Sequence, residues 1–211
     1  MNTVAAFDFD GTLTTRDCVV PFLESLVGRS RLALGFARRP LATAGAMLGR
    51  DSTRDRLKAI AVRTAFAGRD LDSVTRLGVS FAEQIHARWL RMDTLRRLEW
   101  HRQQGHRVVL VSASLGAYLH PLGSMIGVND VLCTEAAVGA DQRFSGELDG
   151  SNCRGPEKVR RLRVWLNSAQ LNDADVWAYG DSSGDRELLA VASHTLVVKG
   201  RVVSELPEDQ T

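Results

Sequence analysis

The sequence predicts an α/β fold: a Rossmann-like parallel sheet sandwiched by helices, with an all-helical segment inserted after the first strand. Three observations point there. Short apolar runs rich in β-formers recur along the chain, helical patterns separate the later ones, and residues 15–92 contain no convincing strand. The runs are Val4–Phe9, VVLVS (108–112), DVLCT (130–134), VWAYG (176–180) and TLVV (195–198). They are nearly continuous rather than alternating, as strands covered on both faces of a parallel sheet are.

Each helix between them carries its own signals. DTLRRLEWHRQQG (93–105) opens on Asp93 as an N-cap and ends at Gly105, which suits the position just past a helix end. PEKVRRLRVWLNSAQL (156–171) has Pro156 in its first turn and Val159, Leu162 and Trp165 at helical spacing. Between Thr134 and Gly150, Gly139 and Gly146 punctuate a small β-hairpin. The expected division is an α/β catalytic core of residues 1–14 and 93–211, interrupted by a helical cap of residues 15–92.

Composition bounds the function. With 44% hydrophobic and 25% charged residues, 211 residues suffice for one domain with a sizeable insertion. A net charge of +2 supplies no global field for nucleic acid, which is excluded as a partner. Cys18, Cys133 and Cys153 form no C-x-x-C pair, so neither a disulfide framework nor a zinc site is expected, and a reducing cytoplasm fits. Cys153, close before Lys158, raises the question of oxidation sensitivity. His101, His106 and His120 have no metal-ligand spacing and read as surface or structural residues. Position 8 is acidic, too early for a secretory signal, and Arg38, Arg39 and Pro40 interrupt the most apolar later stretch. No segment approaches the roughly 20 apolar residues of a membrane span. Residues 28–50 carry five arginines and no acid among Leu, Phe and Met, a pattern suited to peripheral contact with an anionic membrane.

In open parallel sheets, ligands bind beyond the carboxyl ends of the strands. Asp8 and Asp10 follow the first run, Ser112 and Ser114 the second, and Asp181 and Asp185 the fourth, while Lys158 opens a helix. Two carboxylates two positions apart repel unless something compensates them. A divalent cation held by Asp8, the backbone carbonyl of Asp10 and Asp181 would do so, and an all-oxygen set with few protein ligands suits Mg2+. The work is then phosphoryl transfer. A carboxylate is a competent nucleophile at phosphorus once Lys158 and the metal neutralise the phosphate, with Ser112 and backbone N–H groups near Gly11 and Ala113 holding its oxygens.

DFDGTLT, LVSAS, GPEK and YGDSSGD, in this order, resemble the four motifs of the haloacid dehalogenase superfamily, in its phosphoserine-phosphatase-like branch (subfamily IB) with a helical C1-type cap. The resemblance spans the whole chain. It implies a phosphoric monoester hydrolase in which Asp8 is the nucleophile that forms an aspartyl-phosphate. Asp10 would protonate the leaving oxygen and then deprotonate the attacking water. Ser112 and Lys158 would bind phosphate, Asp181 would ligate magnesium, and Asp185 would hold the metal's water shell or Lys158. Two positions depart from the branch. Asp17 stands where phosphoserine phosphatases have a glutamate that reads the substrate amino group, and Ala113 and Ser114 replace a Gly-Gly pair. Both changes fall where the leaving group sits. Expected substrates are therefore a small phosphorylated metabolite, phosphoserine-like or histidinol-phosphate-like, or alternatively a phospholipid-derived phosphomonoester. Asp17, Arg54, Arg56 and Lys58 are candidates for reading the leaving group. Ser114 reads as the N-cap of the next helix. A reading of another class is a receiver-like domain, switched by aspartyl phosphorylation around magnesium.

Overall fold

The computed structural model describes residues 2–37 and 52–198. Six strands form one sheet: β1 (Thr3–Phe7), β2 (Arg107–Leu115), β3 (Asp130–Val138), β4 (Phe144–Asp149), β5 (Asp175–Gly180) and β6 (His194–Val197). Their order is β4-β3-β2-β1-β5-β6, parallel throughout except for the antiparallel β3–β4 pair. The β3–β4 hairpin is the expected excursion; Gly139 stands at its turn, whereas Gly146 lies inside β4 and not at a turn. The chain proceeds outward from β1 to β2 and β3, then returns to β5 on the other side, so β1 lies at the switch point where a crevice opens.

The central strand is buried on both faces, with Val4, Ala5, Ala6 and Phe7 all fully buried. Strand alternation sends Ala5 and Phe7 to one side and Val4 and Ala6 to the other. On the second side α7 (Pro156–Ser168) and α8 (Arg186–Ala190) cover the sheet through Leu162, Trp165 and Leu188. On the first side lie α5 (Met92–Gln103) and α6 (Gly116–Ile126), joined by the helical block of α1 (Val19–Val27), α2 (Arg29–Ala37), α3 (Ser52–Phe66) and α4 (Leu71–Arg88).

Several element ends differ from the sequence expectation: β2 and β3 run on to Leu115 and Val138, and three further ends have a local cause. β1 stops at Phe7, not Phe9, because the N–H groups of Thr12, Leu13 and Thr14 all turn back to the Phe9 carbonyl. The N-cap of α5 is Arg91 rather than Asp93, whose carboxylate instead pairs with the Arg91 guanidinium at 2.9 Å. α7 ends at Ser168, where Gln170 adopts a left-handed conformation with φ 56°.

The helical block shares the main core with the sheet. Phe22 of α1 packs on Tyr118 of α6 with ring centroids 4.9 Å apart, and Phe81 of α4 meets Tyr118 at 5.3 Å. Phe66 of α3 stands edge-on to Phe144 of β4 at 5.0 Å. Burying each such ring contributes about 1.5–3 kcal/mol. α4 approaches α6 so closely that a Cβ on Gly78 would lie 1.9 Å from the Ala117 carbonyl oxygen. The chain enters and leaves the block side by side, with Thr15 N–H on the Trp89 carbonyl and Arg91 N–H on the Leu13 carbonyl, both at 2.9 Å. Among the described residues no helix is long and apolar enough to cross a membrane. Of the basic stretch 28–50, residues 38–50 lie outside the described residues.

Behind the strand ends, Phe7 and Tyr179 stack face to face, centroids 4.2 Å apart and planes 5° from parallel. The Tyr179 hydroxyl accepts from Arg97 Nε at 2.9 Å, so its proton points to His101 Nε2 at 2.7 Å. His101 then donates from Nδ1 to His106 Nδ1 at 2.8 Å. This assignment requires a neutral His101, and burial, reinforced by His106 and Arg97, holds its pKa down to about 3. In the unfolded chain the ring titrates near 6.5. The folded state therefore binds fewer protons between these values, so this contribution to stability is complete above pH 6.5 and is lost as pH falls toward 3. Thermal melts should show Tm falling between pH 6.5 and 5 in the wild type, with a shallower slope in His101→Gln. An unchanged slope would rule out His101 as the titrating group.

Candidate active site

Asp8 stands one residue past β1, its N–H still bonded to the Tyr179 carbonyl at 2.8 Å. Its carboxylate Oδ1 lies 2.5 Å from Lys158 Nζ, and Thr12 Oγ1 donates to its Oδ2 at 3.3 Å. Lys158 comes from the first turn of α7, whose N-cap is Gly155 and whose first residue is Pro156. The same Nζ donates to Asp185 Oδ1 at 2.5 Å, and Lys158 is 2% exposed. Burial opposes its charge, but the two carboxylates outweigh burial and hold the ammonium above its usual value.

Asp185 is fixed from its other side. Its Oδ2 accepts from the N–H groups of Asp181 and Ser182 at 3.3 and 3.0 Å and from Ser182 Oγ at 2.8 Å. Although burial acts against it, Lys158 and these bonds keep Asp185 below the usual carboxylate range. Asp185 is thus hydrogen-bonded to Lys158 on one side and to the turn after β5 on the other.

Asp181, just beyond β5, packs against the turn after β1. A Cβ on Gly11 would lie 2.3 Å from Asp181 Oδ2, and Gly11 has φ +80°, so both space and conformation demand glycine there. The Gly11 N–H donates to Thr14 Oγ1 at 3.3 Å and is thus committed inside the turn, not offered to phosphate as the sequence reading had it. Single carboxylate oxygens of Asp8, Asp181 and Asp185 lie within 4.8 Å of one another. Asp181 Oδ1 is buried without a hydrogen-bond partner, and burial, then Asp8 and Asp185, push its carboxyl up to about 6. Three carboxylates face one ammonium, an excess of two negative charges. An orphaned hard oxygen and that excess are what a divalent, oxygen-preferring cation satisfies, so the donor set fits Mg2+.

Asp10 faces a different set of groups. Its Oδ1 accepts from Cys18 N–H at 2.8 Å and its Oδ2 from Ser114 Oγ at 2.5 Å. Ser114 in turn accepts from the buried Tyr118 hydroxyl at 2.9 Å. Ser114 is thus no helix cap: it lies in β2, and Leu115 occupies the N-cap of α6. Burial first, then the negative charge of Asp17, pushes Asp10 up to about 7, while Ser114 pulls the other way. Asp10 is therefore poised to take and give a proton near neutrality.

Asp8, Asp10, Lys158 and Asp185 line one cavity of about 430 Å3, together with Ser112, Ala113, Asn152 and Arg154, while Asp181 and Ser114 stand behind its lining. The remaining candidates separate. Lys58 of α3 reaches in and donates to the Ala113 carbonyl and, at 2.9 Å, to Asn152 Oδ1. Burial lowers its pKa to about 8. These bonds tie α3 to the strand end. Asp17 borders the cavity but is exposed and accepts from Val20 N–H at 3.1 Å. Arg56 is exposed and is not among the cavity's lining residues, and the side chain of Arg54 lies outside the described residues. Cys153 is fully buried with its thiol pushed up to about 11, first by burial, which makes it a poor target for oxidation. Sequence reasoning passed over Asn152, Arg154 and Tyr118. The first two sit in SNCRGPEK beside Lys158, and the third one helical turn beyond Ser114, so proximity to the motifs was the available signal.

The model of the haloacid dehalogenase-like hydrolases matches residues 5–190. Protein CicA of Caulobacter vibrioides is 36% identical over 190 residues, covering 90% of this chain and 82% of that protein. The structure of a Bordetella pertussis Tohama I protein of unknown function superposes with a TM-score of 0.76 at 20% identity, covering 93% of this chain and 90% of that one. A phosphoserine phosphatase in apo form superposes with a TM-score of 0.61 at 14% identity, over 92% of this chain and 85% of that one. At these identities the two structures speak for the fold, and the match to the hydrolase model extends over most of the sequence and all the residues built into the cavity. The chain belongs to the haloacid dehalogenase-like hydrolase family.

Proposed function

We propose that this hydrolase is a phosphomonoester phosphatase that works through a phospho-aspartate on Asp8 and depends on magnesium. One observation carries the reading: Asp8, paired with Lys158, shares a cavity with Asp10, a second carboxyl held by Ser114 Oγ and the Cys18 N–H. The phosphate of the substrate lies against Lys158 and Ser112. The Asp8 carboxylate attacks phosphorus, the ester P–O bond breaks, and Asp10 gives its proton to the departing oxygen. Asp10, now a carboxylate, takes a proton from a water that attacks the phosphorus of phospho-Asp8. Inorganic phosphate leaves, Asp8 is regenerated as a carboxylate, and Asp10 is again protonated. Asp8 and Asp181 would hold magnesium, whose positive charge would let an anionic nucleophile approach an anionic phosphate. A proton donor and acceptor beside the nucleophile is what turnover requires and what a long-lived phospho-aspartate switch avoids.

The helical block, acting as a cap, excludes water from the cavity and selects the leaving group. Its wall is mostly apolar, formed by Val19, Val20, Leu23, Phe36, Leu57 and Ala61, with Asp17 and Lys58 as its charged members. That wall favours a second substrate reading, a phosphomonoester with an apolar tail taken from an anionic membrane surface, over a small polar metabolite such as phosphoserine or histidinol phosphate.

The deciding experiment is phosphate release from a panel of phosphoserine, histidinol phosphate and long-chain alkyl or glycerolipid phosphomonoesters, with magnesium and with excess chelator. Turnover of at least one compound that stops on chelation is expected. No turnover of any member, together with no phosphorylated Asp8 by mass spectrometry after acid quench, would remove the reading. Asp8→Asn should lower kcat by about three orders of magnitude or more and leave no acid-stable, hydroxylamine-sensitive phosphoenzyme. Ser114→Ala removes a bond that favours the ionised form of Asp10, so the Asp10 pKa should rise by about one unit. Where water attack limits the rate, the acidic limb of the kcat–pH profile should move to higher pH by the same amount, and a profile that stays put would show that Ser114 does not tune Asp10.

A further inference from the structure

Outside the cavity, a second group of side chains converges between β3 and α6. Cys133 and Glu135 lie two residues apart on one face of β3, and His120 comes from α6. Glu135 Oε1 is 3.0 Å from Cys133 Sγ and 2.7 Å from His120 Nε2, and the sulfur and nitrogen are 3.8 Å apart. We propose that His120, Cys133 and Glu135 form a second metal site, a three-ligand pocket for a divalent cation of the zinc class.

The donor chemistry selects the cation. A thiolate, an imidazole and a carboxylate make the mixed S, N, O set that zinc accepts, whereas magnesium requires oxygen donors alone. Zinc bond lengths and tetrahedral angles put ligand atoms about 3.4–3.6 Å apart. The sulfur–nitrogen spacing is already close to that, and the two contacts to Glu135 need to open by less than about 1 Å. The ligands can move that far because His120 and Glu135 side chains are half-exposed, while Cys133 is buried and fixed. Gly116 at the start of α6 leaves room for Glu135, since a Cβ there would come within 2.1 Å of Oε2.

Access is open from two sides. His120 and Glu135 border a cleft of about 270 Å3, and Cys133 and Glu135 border another of about 310 Å3. A water molecule can complete the fourth coordination position from either. Without a cation, Glu135 is held below its usual range by His120 and Cys133 in spite of burial, and His120 is raised by Glu135. Binding replaces those contacts: the cation displaces the Cys133 thiol proton and the proton on His120 Nε2, which go to solvent, leaving S⁻, neutral N and O⁻ as donors.

The site lies back to back with the catalytic cavity. Thr134, between two ligands, points to the other face of β3, donates to Asn152 Oδ1 at 2.8 Å and accepts from Lys58 Nζ at 3.4 Å. A cation on Cys133 and Glu135 would pin the strand that carries the junction between the helical block and the sheet.

The test uses the full chain, stripped with chelator and kept reduced with a phosphine, titrated with Co2+ under saturating magnesium. A thiolate-to-cobalt charge-transfer band in the near ultraviolet, saturating at one equivalent and bleached by Zn2+, is the expected result. The band should vanish in Cys133→Ser and persist in Asp8→Asn, which separates this site from the phosphoryl site. His120→Ala, an exposed change that leaves the packing intact, should weaken Co2+ binding roughly tenfold or more. Absence of the band, its survival in Cys133→Ser, or unchanged affinity in His120→Ala would each overturn the proposal.

Discussion

The structure depends on one buried ion pair shared three ways. Lys158 is almost wholly buried and lies 2.5 Å from both Asp8 and Asp185. A buried ammonium is tolerable only where carboxylates and hydrogen bonds replace its water. That requirement draws together three separate segments: the end of β1, the first turn of α7 and the short turn after β5. Lys158 and Asp185 leave the site two negative charges in excess once Asp8 and Asp181 are counted. The excess makes the site receptive to a cation.

Behind this pair the fold supplies stiffness. The Phe7–Tyr179 stack joins β1 to β5 directly behind Asp8 and Asp181, and His101 and Arg97 lock the tyrosine hydroxyl. In front, the helical block contributes both to stability and to the site. Phe22, Phe66 and Phe81 bury themselves against Tyr118 and Phe144, while Val19, Leu23 and Leu57 turn toward the cavity. Tyr118 connects the two roles, since its ring packs on the block and its hydroxyl supports Ser114 and through it Asp10. In the proposed function the reaction chemistry sits on strand ends, and the surface that would meet the leaving group sits on helices joined to them by a narrow, hydrogen-bonded neck at Thr15 and Trp89.

Much of this was legible from the chain alone, for a physical reason. Strands buried on both faces must be apolar throughout, so the core runs stand out, and the polar residues that end them stand out as well. Asp8, Asp10, Ser112, Lys158, Asp181 and Asp185 were all readable in this way, and all line the cavity or abut the turn that forms its floor. Lys58, a candidate for reading the leaving group, lines the cavity, and only packing reveals that its ammonium also donates to Asn152 and the Ala113 carbonyl. His120 and Cys133 carried no signal, because ligands drawn from a helix and a strand have no fixed spacing in sequence.

The sequence by itself determined the order of strands and helices, the helical insertion and the residue types that meet at the strand ends. These are properties of local periodicity and of short motifs, which need no partner to be expressed. Only the tertiary structure decided which oxygen faces which donor: that Asp185 meets Lys158, that Ser114 holds Asp10, that Gly11 makes room for Asp181, and that the wall opposite is mostly apolar. Each of those outcomes is a distance between residues far apart in the chain, set by how the elements pack, and packing is decided by the whole core at once.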